Sequence, residues 1–174
     1  MKKLILAFIA TLFLVSPAWA QQSSGRDYRR GELFGGFSLI NVGDGNRENL
    51  FGAQASLSGN FHRNVGLTAD MGGQVRDLGG ITVQQYEFLF GPRFVVRGER
   101  LTGFAHALAG FEHLRVGGFS DNGFALGFGG GLDVSLNDRW ALRPIQVDYI
   151  PNRFGGQWFH DVRYGAGVVV KFGR

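Results

Sequence analysis

Residues 161–174, DVRYGAGVVVKFGR, place Val162, Tyr164, Ala166, Val168, Val170 and Phe172 at two-residue steps, with Asp161, Arg163, Gly165, Gly167, Val169 and Lys171 between them. An apolar period of two over that length marks a β-strand with one greasy face and one mostly polar face. The same period recurs along most of the chain, and beyond residue 20 no sustained 3.6-residue apolar pattern competes with it. Each such strand needs partners for its backbone N–H and C=O groups and a solvent for its apolar face. The fold must supply both.

The alternating runs predict strands near 31–40, 50–60, 64–75, 81–96, 101–115, 123–136, 140–150 and 158–172, about eight in all, with ends good to about ±2–4 residues. With 29 Gly, 17 Phe and 4 Pro, the composition favours extended segments with tight corners over helices. NFHRN, RGER and NDRW read as short polar turns, while NVGDGNREN, RDLGG, VGGFSDN and PNRFGGQ read as mostly longer Gly- and Asn-rich links. Short and longer links taking turns are expected of an antiparallel up-and-down meander whose two ends face different surroundings. An even strand count brings both termini to the short-turn end. Pro144, which cannot donate a ladder bond, predicts a bulge or irregular strand start beside NDRW, and Pro92 raises the same expectation near RGER.

The front of the chain has a different character. Met1-Lys2-Lys3 is followed by an apolar run from Leu4 to Val15 and then by Ala18-Trp19-Ala20, a small-x-small cleavage pattern ending on Ala18 and Ala20. This is the layout of a secretory signal peptide, and residues 1–20 are excluded from the fold. An uncleaved membrane helix is the other reading, but the run falls short of the ~20 residues a span needs. No cysteine stands near the cut to carry a lipid anchor. Residues 21–30 are a polar lead-in, and 31–174 form the barrel domain. The 18 basic residues less Lys2 and Lys3 leave 16 against 14 acids, so the net charge falls from +4 to +2. No Lys/Arg block accompanies it, and nucleic acid is not expected as a partner. With 0 Cys, no disulfide framework supports an exported chain, so packing or closed backbone pairing must.

The nature of the polar face decides where the apolar face points. Gly36 and Ser38, Gln54, Ser56 and Ser58, Thr68, Asp70 and Gly72, and Ala125, Gly127, Gly129, Gly131 and Asp133 are small or compact, as suits a crowded interior. The opposite face is broad: Leu33, Phe37, Phe51, Leu57, Met71, Tyr86, Phe88, Phe90, Phe124, Phe128, Ile145, Val147 and Tyr149. About eight strands close around an interior just wide enough for its own side chains, and so many rings would overfill it. The expected fold is therefore all-β, a closed antiparallel transmembrane barrel with apolar side chains turned toward lipid. The strand at 101–115 leaves its orientation open, because Phe104 and Leu108 share a face with His106 and Glu112. Trp140, Tyr149, Trp158, Phe159 and Tyr164 fall at or near predicted strand ends, where interfacial aromatic girdles or ordinary edge packing would place them.

Charges enclosed in a narrow barrel have to be paired. The expected lumenal network comprises Asp70, Glu87, Asp133, Asp148 and Arg163, with Glu87 and Asp70 meeting a base from another strand. Glu112 faces the same way, and Glu32, Arg93 and Lys171 are the charges expected in water at the rims. His62, His106 and His113 have no partner at metal-ligand spacing, no helix follows the Gly runs, and no cofactor is called for.

The chain resembles the small outer-membrane β-barrels of the OmpA-transmembrane and OmpX type over roughly 31–172. The most specific part is the final strand, where Tyr164, Ala166, Val168, Val170 and Phe172 look like the carboxy-terminal signal read by that family's barrel-insertion machinery; Gly173-Arg174 departs from the usual terminal Phe. The tract GGGLDVSLNDRWALRPIQVDYIPNRFGG is similar to the last hairpin of such barrels, and the peptidoglycan-binding domain of the OmpA type is not found after it. The resemblance implies residence in the outer membrane with both termini periplasmic, lipids and the insertion machinery as partners, and a structural or surface-interaction role without catalysis. Three alternatives stay open. One is a lipid-modifying enzyme using Ser120 and His160-Asp161, another is a small-solute pore, and the third is a secreted barrel that binds a lipid-like ligand.

Overall fold

A computed structural model describes residues 29–42, 48–78 and 80–173; the signal segment with Ala18 and Ala20, most of the lead-in and the link 43–47 lie outside the described residues. Eight strands follow one another: β1 Gly31–Val42, β2 Glu48–His62, β3 Val65–Leu78, β4 Ile81–Arg97, β5 Leu101–Val116, β6 Phe119–Ser135, β7 Trp140–Phe154 and β8 Gln157–Phe172. Each pairs antiparallel with the next, and β8 pairs back onto β1, closing the barrel. Leu33 stands opposite Leu57 on one side and Val170 on the other. Closure gives every strand two neighbours, so the wall has no free edge.

The connections differ from the sequence expectation. The link between β5 and β6 is Gly117-Gly118 and that between β7 and β8 is Gly155-Gly156. All four glycines have positive φ (55° and 97°, 54° and 89°), the backbone a two-residue hairpin needs to match strand twist. Most of 116–122 and 151–157, and 76–78 of RDLGG, read as longer links, are instead absorbed into the strands, which run 17 residues in β4 and β6, while 43–47 of the first link lie outside the described residues. About 9–11 residues cross a bilayer core, so strands of 17 residues are longer than a bilayer core requires.

Pro144 breaks the register on both sides of β7. The β6 partners step from Leu132 to Val134 while β7 steps from Ile145 to Leu142, and against β8 the shift falls between Arg143 and Gln146. Pro92 behaves otherwise. It stays in register opposite Leu67, and β4 meets β5 in one register on either side of it. No bulge is needed there, because the missing N–H removes one rung without inserting a residue.

Large apolar side chains cover the outside, including Phe37, Phe51, Leu57, Met71, Phe88, Phe90, Phe124, Phe128, Ile145 and Tyr164, all exposed. On β5 the outward face is Leu101, Ala105, Ala109 and Phe111, while Phe104, His106, Leu108 and Glu112 are buried inside. Trp140 and Trp158 lie near opposite ends of the outer wall, consistent with girdles. Tyr149 and Tyr164 point outward farther along the strands, and Phe159 has the parity of the inward residues at the hairpin end.

Candidate functional site

The interior is filled with ionic and polar side chains in two groups. In the group nearer the termini, Arg143 binds Asp133 with two bonds, Nε to Oδ1 at 2.7 Å and Nη2 to Oδ2 at 3.1 Å. Its guanidinium carbon lies 4.2 Å from the Phe104 ring centroid and 4.3 Å from that of Phe34. Arg93 covers the other side of Phe104 at 4.3 Å, so Arg93, Phe104, Arg143 and Phe34 form a stack of alternating cations and rings. Arg93 Nη1 reaches Glu32 Oε2 at 2.5 Å and Nη2 sits 3.6 Å from Asp133. Arg97 Nη2 lies 3.3 Å from Glu32 Oε1, and its Nη1 donates to the Arg63 carbonyl. Glu32 and Arg93 were expected in water at the rim, yet both are buried, because the stack draws Arg93 into the lumen and Glu32 answers its charge. Lys171 is half-buried and donates to Ser135 Oγ at 2.8 Å.

The second group is centred on Arg163, which no solvent reaches. Its Nη2 lies 2.8 Å from Asp70 Oδ1 and 2.6 Å from Asp148 Oδ2, and its Nη1 lies 2.6 Å from Glu87 Oε1. Three carboxylates thus converge on one guanidinium, from β3, β4 and β7. Neutral donors add to them: Gln54 Nε2 to Asp70 at 2.8 Å, Gln74 Nε2 to Glu87 at 3.1 Å, and Gln146 Nε2 to Asp148 at 2.8 Å, while Glu87 Oε2 is buried without a hydrogen-bond partner among the described residues. His106 Nε2 stands 2.8 Å from Asp148 Oδ1. Asn152 Nδ2 bridges Glu112 at 3.0 Å and Asp161 at 2.7 Å. Of the sequence-predicted set, Asp70, Glu87, Asp148 and Arg163 therefore meet directly, while Asp133 belongs to the other group.

Two features of this interior were not read from the sequence. The first is Arg143. Outward residues fall on even numbers in Trp140 and Leu142 but on odd numbers in Ile145, Val147 and Tyr149. That phase break at Pro144 was visible, and it turns both Arg143 and Asp148 inward. The second is an apolar cluster, Ile40, Leu50, Leu89, Leu108, Ala125 and Ile150, packed inside the barrel. Most of these residues stand among polar neighbours on their own face of the strand, and only the three-dimensional closure gathers them.

Of the residues weighed for catalysis, His160 and Asp161 point to opposite faces of β8. Asp161 is buried inside the wall, whereas His160 is exposed outside it with Nδ1 2.6 Å from the Tyr149 hydroxyl. Adjacent residues of one strand point to opposite faces, so His160 and Asp161 cannot act on one another.

No family model matches the chain, and no curated protein matches it. Solved structures do. The Neisserial surface protein A, NspA, superposes with a TM-score of 0.71 at 12% identity, covering 84% of this chain and 100% of that one. Ail, the attachment invasion locus protein of Yersinia pestis, gives 0.58 at 14%, again over 84% and 100%. The N-terminal β-barrel domain of Pseudomonas aeruginosa OprF gives 0.54 at 13% with the same coverage. The fold is that of small eight-stranded outer-membrane barrels.

Proposed function

We propose that the chain is an integral outer-membrane barrel with a structural or surface-interaction role, its termini on the periplasmic side and its lumen closed. One observation carries this reading. Around a sealed wall, Phe, Leu, Met and Tyr side chains stand exposed on the outside while arginines and carboxylates are buried inside, the reverse of a water-soluble barrel. Only hydrocarbon accepts that exterior without a large loss, at roughly 25 cal/mol per Å² of apolar surface. The final strand, with Tyr164, Ala166, Val168, Val170 and Phe172 on the outer face or its margin, is the proposed recognition signal for the insertion machinery. A surface role is supported by the names of two structural neighbours, a surface protein and an attachment invasion protein, and by hairpins that carry residues such as the exposed Phe119.

The test is fractionation with a folding readout. The protein is expected in the outer-membrane fraction after an alkaline wash, migrating faster unheated than boiled on a detergent gel. Recovery in the soluble periplasmic fraction or the medium, with no heat-dependent shift, would defeat the assignment and favour the secreted barrel.

A further inference from the structure

The outer wall has a dent close to the end that holds the termini. Leu33, Gly35, Ala55, Trp140, Val168 and Val170 line a groove of about 350 Å³ across β1, β2, β7 and β8. Gly35 opens it. The residue faces outward between Ala55 and Val168, and a Cβ added there would meet nothing within 4 Å.

Trp140 also borders a polar pocket of about 600 Å³, lined in addition by Arg29, Asn137, Asp138 and Arg139. The turn that forms it is fixed locally: Asn137 Oδ1 accepts from the N–H of Arg139 and of Trp140 at 2.9 Å each. Lys171 N–H donates to the Arg139 carbonyl at 2.7 Å, and Asn60 Nδ2 donates to the Arg29 carbonyl at 3.2 Å, tying both arginines to the barrel. Among the described residues, neither Arg29 nor Arg139 makes an ion pair. Two guanidinium groups without an ion pair among the described residues, and one carboxylate, Asp138, give this lining a net charge of +1.

We infer that groove and pocket together bind one anionic glycerophospholipid from the leaflet at the terminal end. An acyl chain lies past Gly35 in the groove, the phosphate sits between Arg29 and Arg139, and Trp140 stands at the boundary between them. Guanidinium groups bind phosphate oxygens in bidentate fashion, and Trp favours the headgroup level of a bilayer. An apolar groove that shares Trp140 with a cationic pocket matches a molecule whose charged head and greasy tail are covalently joined. A free phosphate would use only half of it.

This inference rests on the outer wall facing lipid, so the experiment separates the two. The folded protein in detergent is titrated with phosphatidylglycerol and, in parallel, phosphatidylcholine, and bound lipid is counted by native mass spectrometry. Wild type should retain one phosphatidylglycerol at least five-fold more than phosphatidylcholine. The double variant Arg29→Ala/Arg139→Ala should lose that preference, and Gly35→Leu, whose Cβ meets nothing within 4 Å and whose side chain enters the groove, should reduce both lipids at least five-fold. Folded variants that retain phosphatidylglycerol as wild type does would overturn this site alone. A wild-type chain giving no heat-shifted band in detergent would remove the membrane reading with it.

Discussion

Arg143 packs its guanidinium carbon 4.2 Å above the Phe104 ring while bonding Asp133 through two nitrogens, so one cation is held by a carboxylate at its edge and by a ring on its face. Phe104 holds Arg93 on its other side. Replacing the ring by an aliphatic group therefore removes two cation–ring contacts, each worth about 0.5–2 kcal/mol. Phe104→Leu should lower the stability of the detergent-folded barrel by about 2 kcal/mol, read from the urea midpoint of the heat-shifted band. Arg143→Met supplies the control through a double-mutant cycle. If the two losses simply add, the stack carries no coupling energy and Phe104 is only filling space.

Arg163 faces a harsher balance. Asp70, Glu87 and Asp148 all spend their charge on it, and removing the cation strands three buried carboxylates. Breaking a buried ionic group by deleting one partner costs about 3–5 kcal/mol, because the remaining charge is left uncompensated. Arg163→Met should therefore fail to refold or lose most of its urea resistance. Glu87→Gln keeps the shape and removes one of three charges, so its loss should be smaller, about 1–2 kcal/mol. An unchanged midpoint for Glu87→Gln would show that the 2.6 Å pair with Arg163 is not formed in the folded barrel.

The fold was legible because alternation states the face of each residue independently of its neighbours. Phe51 and Gln54 declare opposite sides of β2 from sequence alone. The parts that stayed hidden depend on phase and tilt. Arg143 needs the bulge at Pro144 to be counted before its parity is known. Glu32 looks like a rim residue by its place at the start of β1, and only the guanidinium of Arg93 arriving across the lumen buries it. Leu89 and Leu108 look like exceptions in their strands until closure brings them against Ile40 and Ile150. The link lengths misled for a related reason: Gly117-Gly118 reads as loop composition, but two consecutive positive-φ residues make the tightest hairpin available.

Gly52 and Gly59, on opposite faces of β2, should respond differently to a methyl group. At Gly52, on the inner side of β2, an added Cβ would collide with the backbone of Gly73 and Gln74. Backbone cannot step aside as a side chain can, so Gly52→Ala should cost about 1–3 kcal/mol. At Gly59, on the outer side of the same strand, nothing lies within 4 Å of the new carbon. Gly59→Ala should be neutral or slightly stabilising, since it lowers the entropy of the unfolded chain. Equal urea midpoints for the two variants would contradict the close strand approach at Gly52.

The interior also decides whether ions pass. A lumen lined only by charged groups could hold a file of water, but here Ile40, Leu50, Leu89, Leu108, Ala125 and Ile150 occupy the barrel on the side away from the termini. Toward the termini, the stack of Phe34, Arg143, Phe104 and Arg93 occupies the space as solidly. An ion crossing would have to shed its water against the first and displace paired guanidinium groups from the second, a cost of several kcal/mol at each. Purified protein in planar bilayers should therefore show no stable single-channel steps. Trimming the apolar cluster by Leu89→Ala, Leu108→Ala and Ile150→Ala together should leave the cation–ring stack in place, so that variant should remain silent or nearly so. Adding Phe104→Leu to the triple variant should bring small, flickering currents. Regular conductance from the wild type would mean that the lumen opens in the bilayer, and the small-solute pore would replace the closed barrel.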